Sequence, residues 1–297
     1  MSDQHNSGKR HLDVVLELTK HPADALLQHL VALAADASDL LLGFYARTES
    51  IEIRQKSDAS PVTEADHASH ELITQALHSL TPNIPILSEE SPASELASRL
   101  SWPCCWMLDP LDGTREFIER TGEFTINLAL IAEGVPQLGV LAAPTRGFVD
   151  VGIPGAGAWR YSLSDPSARK ELACRALESS RALALLASRR HSDDRVNAMI
   201  NALAPLAESV ARRDIGSALK FCDLACGQAD VYPRTSPCFE WDLAAGEALV
   251  NAAGGRVLTI EGETIHYNCR DTLMAPQFIA AADPGVDYLR YLGSREG

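Results

Sequence analysis

Two aspartates directly after a short apolar run constrain the fold of this chain more than any other segment. The apolar run at 106 to 108 is followed by D-P-L-D-G-T at 109 to 114. Pro110 lacks a backbone N–H and disfavours helix at the residue before it, so we expect both acids on a turn at a strand end. Gly113 can adopt left-handed backbone angles and Thr114 favours a helix start, so free N–H groups should face the carboxylates.

The turn has two interpretations from its own residues. Asp109 and Asp112, beside exposed N–H groups, would bind a cation and a phosphate together. Asp and Gly are also common in ordinary turns, where Asp side chains bond to their own backbone. The segment alone leaves both interpretations open.

Length and composition limit the classes of protein. The chain has 297 residues, 46% apolar and 22% charged, so it is globular and near the size at which one core divides into two lobes. Its 26 basic and 40 acidic residues give a formal charge of −14, which disfavours nucleic acid polymers and anionic membranes as partners. A phosphate substrate would then need local positive charge, most simply from bound metal ions.

Targeting and cysteine features favour a cytoplasmic protein. No run approaches the roughly 18 uncharged apolar residues of a membrane span, and residues 1 to 10 lack the apolar core of a signal peptide. The seven Cys follow no repeated metal-ligand spacing. Peripheral association with the inner membrane and a homodimer are both compatible with the sequence.

The pattern of the first half predicts an N-terminal α+β lobe over 22 to 162. Residues 1 to 21 are polar and aperiodic, and we expect an arm with about one helical turn. The other expected elements are helices from Pro22 to about Arg47 and from Thr63 to about Leu80, strands at 82 to 87 and 106 to 108, a hairpin over 124 to 143, and further strands from 148 to 161.

The second half predicts a C-terminal α/β lobe over 163 to 297. The expected elements are a strand at 182 to 187, a helix at 193 to 203, a strand ending near 212, a helix at 217 to 226, a strand at 229 to 232, a helix at 241 to 253, strands at 256 to 260 and 278 to 281, and a helix from Pro284. The polar stretch 162 to 170 would link the lobes.

Further acids could join the two aspartates. Glu89 follows a predicted strand, where it would be either a third hard oxygen ligand for Mg²⁺ or Mn²⁺ or part of a solvated loop. Asp242 starts a predicted helix and could face the same cation or simply favour the helix's first turn. Asp66 lies three residues after Thr63 and could complete a capping box.

Basic residues are candidates for contacts with an anionic substrate. Lys220, Arg234 and S-R-R-H at 188 to 191 could contact a phosphate, although each alone is commonly a surface charge. Lys56 could also lie near the acids. The glycine run at 152 to 157 lacks the spacing of a nucleotide-binding loop and is interpreted as a turn.

Taken jointly, five strings resemble the inositol monophosphatase superfamily of Mg²⁺-dependent, Li⁺-sensitive phosphatases over about residues 23 to 282. They are S-P-V-T-E-A-D (60 to 66), S-E-E (88 to 90), D-P-L-D-G-T (109 to 114), G-S-A-L-K-F-C (216 to 222) and W-D-L-A-A-G (241 to 246). The chain is similar in particular to bacterial 3'(2'),5'-bisphosphate nucleotidases, through G-S-A-L-K-F-C and three strings not shared superfamily-wide: R-E-F-I-E-R-T-G-E-F-T-I-N (115 to 127), S-R-R-H and Y-P-R (232 to 234).

The resemblance implies a layered α-β-α-β-α sandwich, as in the inositol monophosphatase and fructose-1,6-bisphosphatase fold. It implies two or three Mg²⁺ ions, with Mn²⁺ as a substitute and Li⁺ as an inhibitor. The implied metal ligands are the side chains of Glu89, Asp109, Asp112 and Asp242 and the carbonyl of Leu111. Most of them lie in the N-terminal lobe, and the C-terminal lobe would bind the substrate.

Roles in catalysis are implied in the same way. Glu89 and the Thr114 hydroxyl would orient a metal-activated water for direct attack on the phosphate, with Asp66 beside a third, weaker metal. The implied substrate contacts are Asp112, Gly113, Thr114, Ser188, Arg189, His191, Ser217, Lys220, Arg234 and Asp242. The chain departs from its relatives at Cys238, where they usually carry Thr or another small polar residue, and at Arg190, where a small residue is common.

The preferred substrate hypothesis is 3'-phosphoadenosine 5'-phosphate, giving AMP and phosphate, with a link to sulfur metabolism implied by the resemblance. Inositol phosphate and fructose 1,6-bisphosphate are the alternatives within the superfamily. A haloacid-dehalogenase-type phosphatase is disfavoured because its two acids stand two residues apart on one face of a strand, whereas here the interval is three. A non-catalytic metal-binding regulator would be expected to lack one of the ligands.

Overall fold

The computed structural model describes residues 2–47, 53–55, 61–189 and 193–293. Its helices are α1 (Ser2–Thr19), α2 (Ala23–Tyr45), α3 (Glu64–Leu80), α4 (Thr114–Ile118), α5 (Asp193–Leu203), α6 (Leu219–Ala225), α7 (Glu240–Ala252) and α8 (Leu289–Leu292). Its strands are β1 (Ile53–Gln55), β2 (Pro61–Thr63), β3 (Ile86–Ser88), β4 (Cys104–Asp112), β5 (Thr125–Ala132), β6 (Val135–Ala143), β7 (Phe148–Ile153), β8 (Gly157–Ser162), β9 (Arg169–Glu171), β10 (Ala182–Ala187), β11 (Ser209–Asp214), β12 (Val231–Arg234), β13 (Arg256–Thr259) and β14 (Phe278–Ala281).

These strands form two large sheets and a small ribbon. The first sheet has seven strands in the order β3-β4-β5-β6-β7-β8-β9, antiparallel except for the parallel pair β3 and β4. The second has five strands in the order β11-β10-β12-β14-β13, with β10 parallel to both β11 and β12. β1 and β2 pair as a separate two-stranded ribbon.

Helices and sheets alternate in layers. One apolar cluster joins α1, α2 and α3 to one face of the seven-stranded sheet. A second cluster joins the other face of that sheet to α6, α7 and one face of the five-stranded sheet, and a third joins the far face of the five-stranded sheet to α5 and α8. The predicted α+β fold with α-β-α-β-α layers is confirmed. The division of the chain into lobes at residue 162 stays a prediction.

Helix α2 corresponds to the helix predicted from Pro22 to about Arg47, and it carries an apolar stripe. Its side chains Leu26, Leu30 and Leu41 are fully buried at helical spacing, and the helix packs on β6, β7 and α3. By length and composition alone α2 is also apolar enough to cross a membrane. In the structure its apolar stripe lies against the sheet, as in the core helix of a globular domain. The expectation that no segment spans a membrane stays a prediction.

The predicted polar arm with one helical turn is wrong. Residues Ser2–Thr19 form a continuous helix that packs against β6. Val15 is fully buried, Leu12 and Leu18 pack on the same cluster, and the His11 Nδ1 lies 2.7 Å from the Gln137 Oε1. Only the last turns of the helix carry an apolar stripe, so the local sequence signal was weak, and the contact of that stripe with the sheet stabilises the helix.

Two further element ends differ from the prediction. Strand β4 continues to Asp112 instead of ending at Leu108, because a register irregularity between Asp109 and Asp112 accommodates Pro110. The terminal helix covers only Leu289–Leu292 rather than beginning at Pro284. The remaining predicted elements in the described residues are present within a few residues of their expected ends.

Helix α7 approaches the seven-stranded sheet closely enough to require glycine on the strands beneath it. A Cβ at Gly139 of β6 would lie 2.4 Å from the Ala245 carbonyl oxygen, and one at Gly152 of β7 would lie 2.7 Å from the Leu249 Cα. Neither backbone atom can rotate away, as a flexible side chain could. The two glycines therefore fix the height of α7 above the sheet.

This close approach predicts opposite effects for two Gly→Ala substitutions. We expect Gly139→Ala to lower the free energy of unfolding by about 1–3 kcal/mol, because the new methyl group displaces α7. Gly43→Ala is the matched control, since Gly43 lies in α2 with no atom within 4 Å of the added Cβ. There the better helix propensity of Ala should raise stability by about 0.5–1 kcal/mol. Urea denaturation followed by circular dichroism measures both, and an unchanged midpoint for Gly139→Ala would contradict the packing described.

Candidate active site

The end of β4 carries the two aspartates of the D-P-L-D-G-T motif. Asp109 is only 2% exposed, and its Oδ1 accepts the Leu111 N–H at 3.0 Å. Asp112 is partly exposed, and its Oδ2 accepts long hydrogen bonds of 3.4 Å from the Thr125 hydroxyl and 3.3 Å from the Asn127 amide. The acids therefore lie on an irregular strand end rather than on a free turn.

Neighbouring elements hold this irregular segment in place. The Ser69 hydroxyl on α3 donates to the Pro110 carbonyl at 2.9 Å. Gly113 has φ 91°, a left-handed conformation, and a Cβ there would lie 2.9 Å from the Glu123 carbonyl oxygen. Both the backbone angle and the close contact explain why this position is glycine.

Two more elements bring Glu89 and Asp242 to Asp109. Because β3 runs parallel to β4, Glu89 follows the same sheet edge, and its N–H donates to the Leu108 carbonyl at 3.0 Å. Asp242 lies in the first turn of α7. One carboxylate oxygen from each of Glu89, Asp109 and Asp242 lies within 4.8 Å of the other two. The structure thus brings together three of the four acids that the sequence singled out, and their role as metal ligands stays a prediction.

Asp242 combines the two roles that its sequence left open. Its Oδ2 accepts the Phe239 N–H at 3.0 Å and so caps the start of α7. The same carboxylate also contributes an oxygen to the cluster. Helix capping thus fixes the orientation of a side chain that faces the other acids.

Burial and mutual repulsion disfavour charge on these carboxylates. Burial, followed by the charges of Glu89, Asp112 and Asp242, raises the pKa of Asp109 well above its ordinary value. Burial and the nearby Asp112 likewise raise the pKa of Asp242. A divalent cation would offset this repulsion, and hard carboxylate oxygens are the ligands that Mg²⁺ and Mn²⁺ prefer. The donor set therefore fits such an ion.

Asp66 also serves two purposes at once. Its Oδ2 accepts the Thr63 N–H at 2.8 Å and the Thr63 hydroxyl at 2.6 Å, which confirms the predicted capping box. Its Oδ1 accepts the Thr114 hydroxyl at 3.1 Å, and that hydroxyl is also 3.3 Å from the Leu111 carbonyl oxygen. Burial raises the pKa of Asp66. Asp66 thereby links the start of α3 to the residue after Gly113.

The acids open into a cleft of about 430 Å³. Its lining residues are Glu89, Asp109, Leu111, Asp112, Gly113, Thr114, Arg115, Glu116, Arg234, Pro237, Cys238, Phe239, Asp242 and Met274. All five proposed metal ligands are among them. The volume is within the usual range for a small-molecule site.

The predicted substrate residues are distributed unevenly around this cleft. Arg234 lines it, with its Nη1 donating to the Tyr232 hydroxyl at 3.1 Å and its buried Nε lacking a hydrogen-bond partner among the described residues. Ser217 lies beside Gly113, where an added Cβ would be 3.3 Å from the Ser217 Cβ. Ser188 is partly exposed and does not line the cleft. His191 lies outside the described residues, as does Lys56.

Lys220 and Arg189 both make contacts within the protein. The Lys220 Nζ is buried and donates to the carbonyls of Ile215 at 2.9 Å and Ser217 at 2.6 Å, while burial and the charge of Arg234 lower its pKa to about 8. Arg189 forms a bidentate ion pair with Glu123, with N–O distances of 2.6 and 2.7 Å. Neither side chain lines the cleft.

Sequence reasoning missed several residues of the cleft wall. Phe239 lies at the cleft with its ring stacked on Trp241, at 4.7 Å between centroids and 17° between planes. Met274 reaches the cleft through an isolated bridge to Phe239. Phe239 stands three residues before Asp242 and could have been noticed there, whereas no local signal marks Met274.

Comparison with known proteins decides the family. The model of the inositol monophosphatase family matches residues 23–293. The chain belongs to the inositol monophosphatase family. It is a metal-dependent phosphatase of that family, and its carboxylate cluster could hold a metal ion.

Relatives within the inositol monophosphatase family are similar over most of their length. The chain is 40% identical over 253 residues to 3'(2'),5'-bisphosphate nucleotidase CysQ of Salmonella typhimurium, covering 85% of this chain and 98% of the relative. It is 34% identical over 262 residues to the protein of the same name from Aggregatibacter actinomycetemcomitans, covering 88% and 93%.

Solved structures of the inositol monophosphatase family agree with the fold. The crystal structure of CysQ from Bacteroides thetaiotaomicron has a TM-score of 0.73 and 33% identity, and the alignment covers 84% of this chain and 94% of that one. The extragenic suppressor protein suhB from Bartonella henselae has a TM-score of 0.70 at 22% identity, covering 92% and 99%. The second likeness concerns the fold alone.

Carboxylate repulsion predicts how stability depends on pH without metal. Because the pKa of Asp109 is raised in the folded state, the folded protein keeps a proton that the unfolded chain releases above 3.8. Stability in EDTA should therefore fall as pH rises from that value. Asp109→Asn removes the charge but keeps an oxygen to accept the Leu111 N–H. We expect this variant to be more stable than the wild type at pH 7, by on the order of 1 kcal/mol.

The measurement is the urea midpoint of both proteins in EDTA from pH 4 to pH 8. The advantage of Asp109→Asn should shrink as the pH falls, and added Mg²⁺ should stabilise the wild type more than the variant. A variant that is less stable than the wild type at pH 7 in EDTA would show that repulsion does not dominate at this position.

Proposed function

We propose that the chain is a 3'(2'),5'-bisphosphate nucleotidase that converts 3'-phosphoadenosine 5'-phosphate to AMP and phosphate. The observation that carries the proposal is the convergence of Glu89, Asp109 and Asp242 in one cleft with Gly113 and Thr114. Relatives named as nucleotidases of this specificity, at 34 to 40% identity over most of the chain, support the substrate class.

The metal part of the proposal follows from the donor set. Glu89, Asp109, Asp112, Asp242 and the Leu111 carbonyl would hold two or three Mg²⁺ ions, with Mn²⁺ able to substitute and Li⁺ inhibitory. Such ions, when bound, lower the pKa of the attacking water and offset the charge that accumulates on the phosphoryl group. Metal ions held by these acids would supply the local positive charge that lets a chain of charge −14 accept an anionic substrate.

Thr114 and Glu89 are suited to orient the attacking water. The Thr114 hydroxyl lies within donating distance of the Asp66 Oδ1 and the Leu111 carbonyl, so its oxygen can accept a hydrogen bond from a water in the cleft. The Glu89 carboxylate would take the proton that this water loses. The water attacks phosphorus directly, and no phosphorylated side chain is formed.

Anion binding would come from backbone N–H groups and an arginine that line the same cleft. The N–H groups of Gly113 and Thr114 begin α4 and would bind the oxygens of the reacting phosphate. Arg234 carries a fixed positive charge into the cleft, and its buried Nε is a donor without a partner among the described residues. Asp112 and Asp242 would contact the leaving hydroxyl of the ribose.

The size of the cleft and the net charge of the chain favour a small molecule as the substrate. A cleft of about 430 Å³ fits a mononucleotide and not a polymer, and the acidic surface disfavours nucleic acid. The proposal includes a cytoplasmic location. A homodimer is an added hypothesis, which the mass of the protein in solution would test.

Substrate preference provides the direct test. Phosphate release from 3'-phosphoadenosine 5'-phosphate, inositol 1-phosphate and fructose 1,6-bisphosphate should be compared at equal Mg²⁺, with and without Li⁺. We expect the nucleotide to have a kcat/KM at least about tenfold above inositol 1-phosphate, which has no second phosphate to pair with Arg234. It should also exceed that of fructose 1,6-bisphosphate, because the relatives are named as bisphosphate nucleotidases. Li⁺ should inhibit and EDTA should abolish release.

Equal or better turnover of inositol 1-phosphate would overturn the nucleotidase assignment and leave the phosphatase assignment intact. Absence of phosphate release from all three substrates with Mg²⁺ or Mn²⁺ would count against catalysis itself.

Asp112→Asn separates catalysis from folding. Asp112 is partly exposed, and its hydrogen bonds to Thr125 and Asn127 are long, so the substitution should leave the free energy of unfolding within about 0.5 kcal/mol of the wild type. It removes one charge from the metal site, and kcat/KM should fall by about 100-fold or more. Asp165→Asn is the control, since Asp165 is an exposed residue that bonds only to its own loop, at Ser167 and Ala168. Near-normal activity of Asp112→Asn would place the metal site elsewhere.

A further inference from the structure

The Glu123 carboxylate lies where three segments meet beside the cleft. It belongs to the segment between α4 and β5. Its two oxygens accept the Arg189 Nε and Nη2 at 2.6 and 2.7 Å, and its Oε2 also accepts the Gly216 N–H at 2.8 Å. One side chain therefore connects the loop after β10 and the loop after β11 to the seven-stranded half of the molecule.

Close backbone contacts show how tightly these segments fit. A Cβ on Gly216 would lie 3.0 Å from both the Glu123 Cβ and the Glu116 Cγ. A Cβ on Gly113 would lie 2.9 Å from the Glu123 carbonyl oxygen and 3.3 Å from the Ser217 Cβ. Loop 215–217 therefore contacts the turn that begins α4, and Glu123 contacts both the loop and the turn.

The same loop is held from its other side by Lys220. Its ammonium group donates to the Ile215 and Ser217 carbonyls, and Ser217 has φ 46°, a left-handed conformation that a non-glycine residue rarely adopts. Such a conformation persists when surrounding contacts determine it. Glu123 and Lys220 are two of those contacts, one at Gly216 and one at its neighbours.

We propose that Glu123 is a positioning residue that fixes loop 215–217 and Arg189 against the Gly113–Thr114 turn, so that Arg189 can receive the second phosphate of the substrate. This role rests on the proposed function and deepens it. The bidentate contact uses the Nε and Nη2 edge of the guanidinium and leaves the Nη1 edge outside it. The Arg189 side chain is 47% exposed, so an anion can reach that edge.

Glu123 does not line the cleft and touches none of the proposed metal ligands in the contacts described. Its loss should therefore weaken binding of a substrate with two phosphates and leave the chemistry of the first phosphate unchanged. A purely structural role would instead lower stability and affect all substrates alike.

The test uses three variants of the full chain and two substrates. Glu123→Gln keeps an acceptor for the Gly216 N–H and loses the ion pair, and Glu123→Ala loses both contacts. Arg189→Gln loses the ion pair together with the guanidinium that would receive the second phosphate, and it leaves the Glu123–Gly216 hydrogen bond in place. The substrates are 3'-phosphoadenosine 5'-phosphate, with two phosphates, and p-nitrophenyl phosphate, with one. KM and kcat are measured for the wild type and each variant on each substrate, with Mg²⁺ and well below the temperature of unfolding.

Asp223→Asn is the matched control. Asp223 accepts hydrogen bonds from Arg146 at 2.9 Å and Arg213 at 3.2 Å, so it also ties the two halves of the molecule together through a buried carboxylate, away from the cleft lining. It should lower the urea midpoint without changing either KM.

We expect Glu123→Gln and Arg189→Gln to raise KM for the bisphosphate about tenfold, with kcat within about threefold and p-nitrophenyl phosphate unaffected. Glu123→Ala should raise the KM for the bisphosphate further. It should also increase amide hydrogen exchange in the peptide containing Gly216. Equal changes for both substrates, or a loss of stability alone as in Asp223→Asn, would overturn the positioning role.

Failure of the proposed function gives a different result. If the wild type prefers inositol 1-phosphate or fructose 1,6-bisphosphate, the nucleotidase assignment fails whatever the variants do. The same variants are then compared on fructose 1,6-bisphosphate, which also carries two phosphates, against p-nitrophenyl phosphate. A selective rise in KM for the bisphosphate supports the role of Glu123, and its absence rejects it.

Discussion

Repulsion between carboxylates at the edge of the seven-stranded sheet is the constraint on which the rest of the structure depends. The parallel pairing of β3 with β4 brings Glu89 to Asp109, and α7 adds Asp242 from the next layer. Such a buried set is unfavourable by itself, because burial and neighbouring charge both raise the pKa of Asp109. The fold must therefore supply enough packing elsewhere to hold the acids together before a cation arrives.

Helix α7 supplies much of that packing. It lies between the two sheets, and most of its side chains are buried, including Leu243 and Leu249. Gly139 and Gly152 let it approach the strands closely, and Gly246 lets Phe221 of α6 approach it in turn. A helix held this firmly on both sides carries Asp242 at its first turn, so the position of one acid of the cluster is set by the central core of the molecule.

The elements around the site could be predicted from sequence because their signals are local, and the layered arrangement followed from the family resemblance. The Leu stripe of α2, the capping box at Thr63 and the acid pair around Pro110 each show within a few residues. The first helix was missed because its stripe is confined to its last turns and becomes meaningful only against β6. The contacts of Lys220 and Arg189 could not be predicted either, because a basic residue looks the same in sequence whether it binds a phosphate, a loop carbonyl or Glu123.

The topology of the second sheet explains why the substrate side of the cleft depends on loops. Strand β10 is parallel to both β11 and β12, so the carboxyl ends of all three meet at one edge. The residues that follow or end these strands are Arg189, Gly216 and Arg234 in turn. Hence the acids proposed as metal ligands are fixed by a helix and an irregular strand end, while Arg189 and Arg234, which are proposed to contact the substrate, lie after β10 and at the end of β12. Loops can change sequence without disturbing the core, so this separation would allow the substrate preference to change while the acid cluster stays in place.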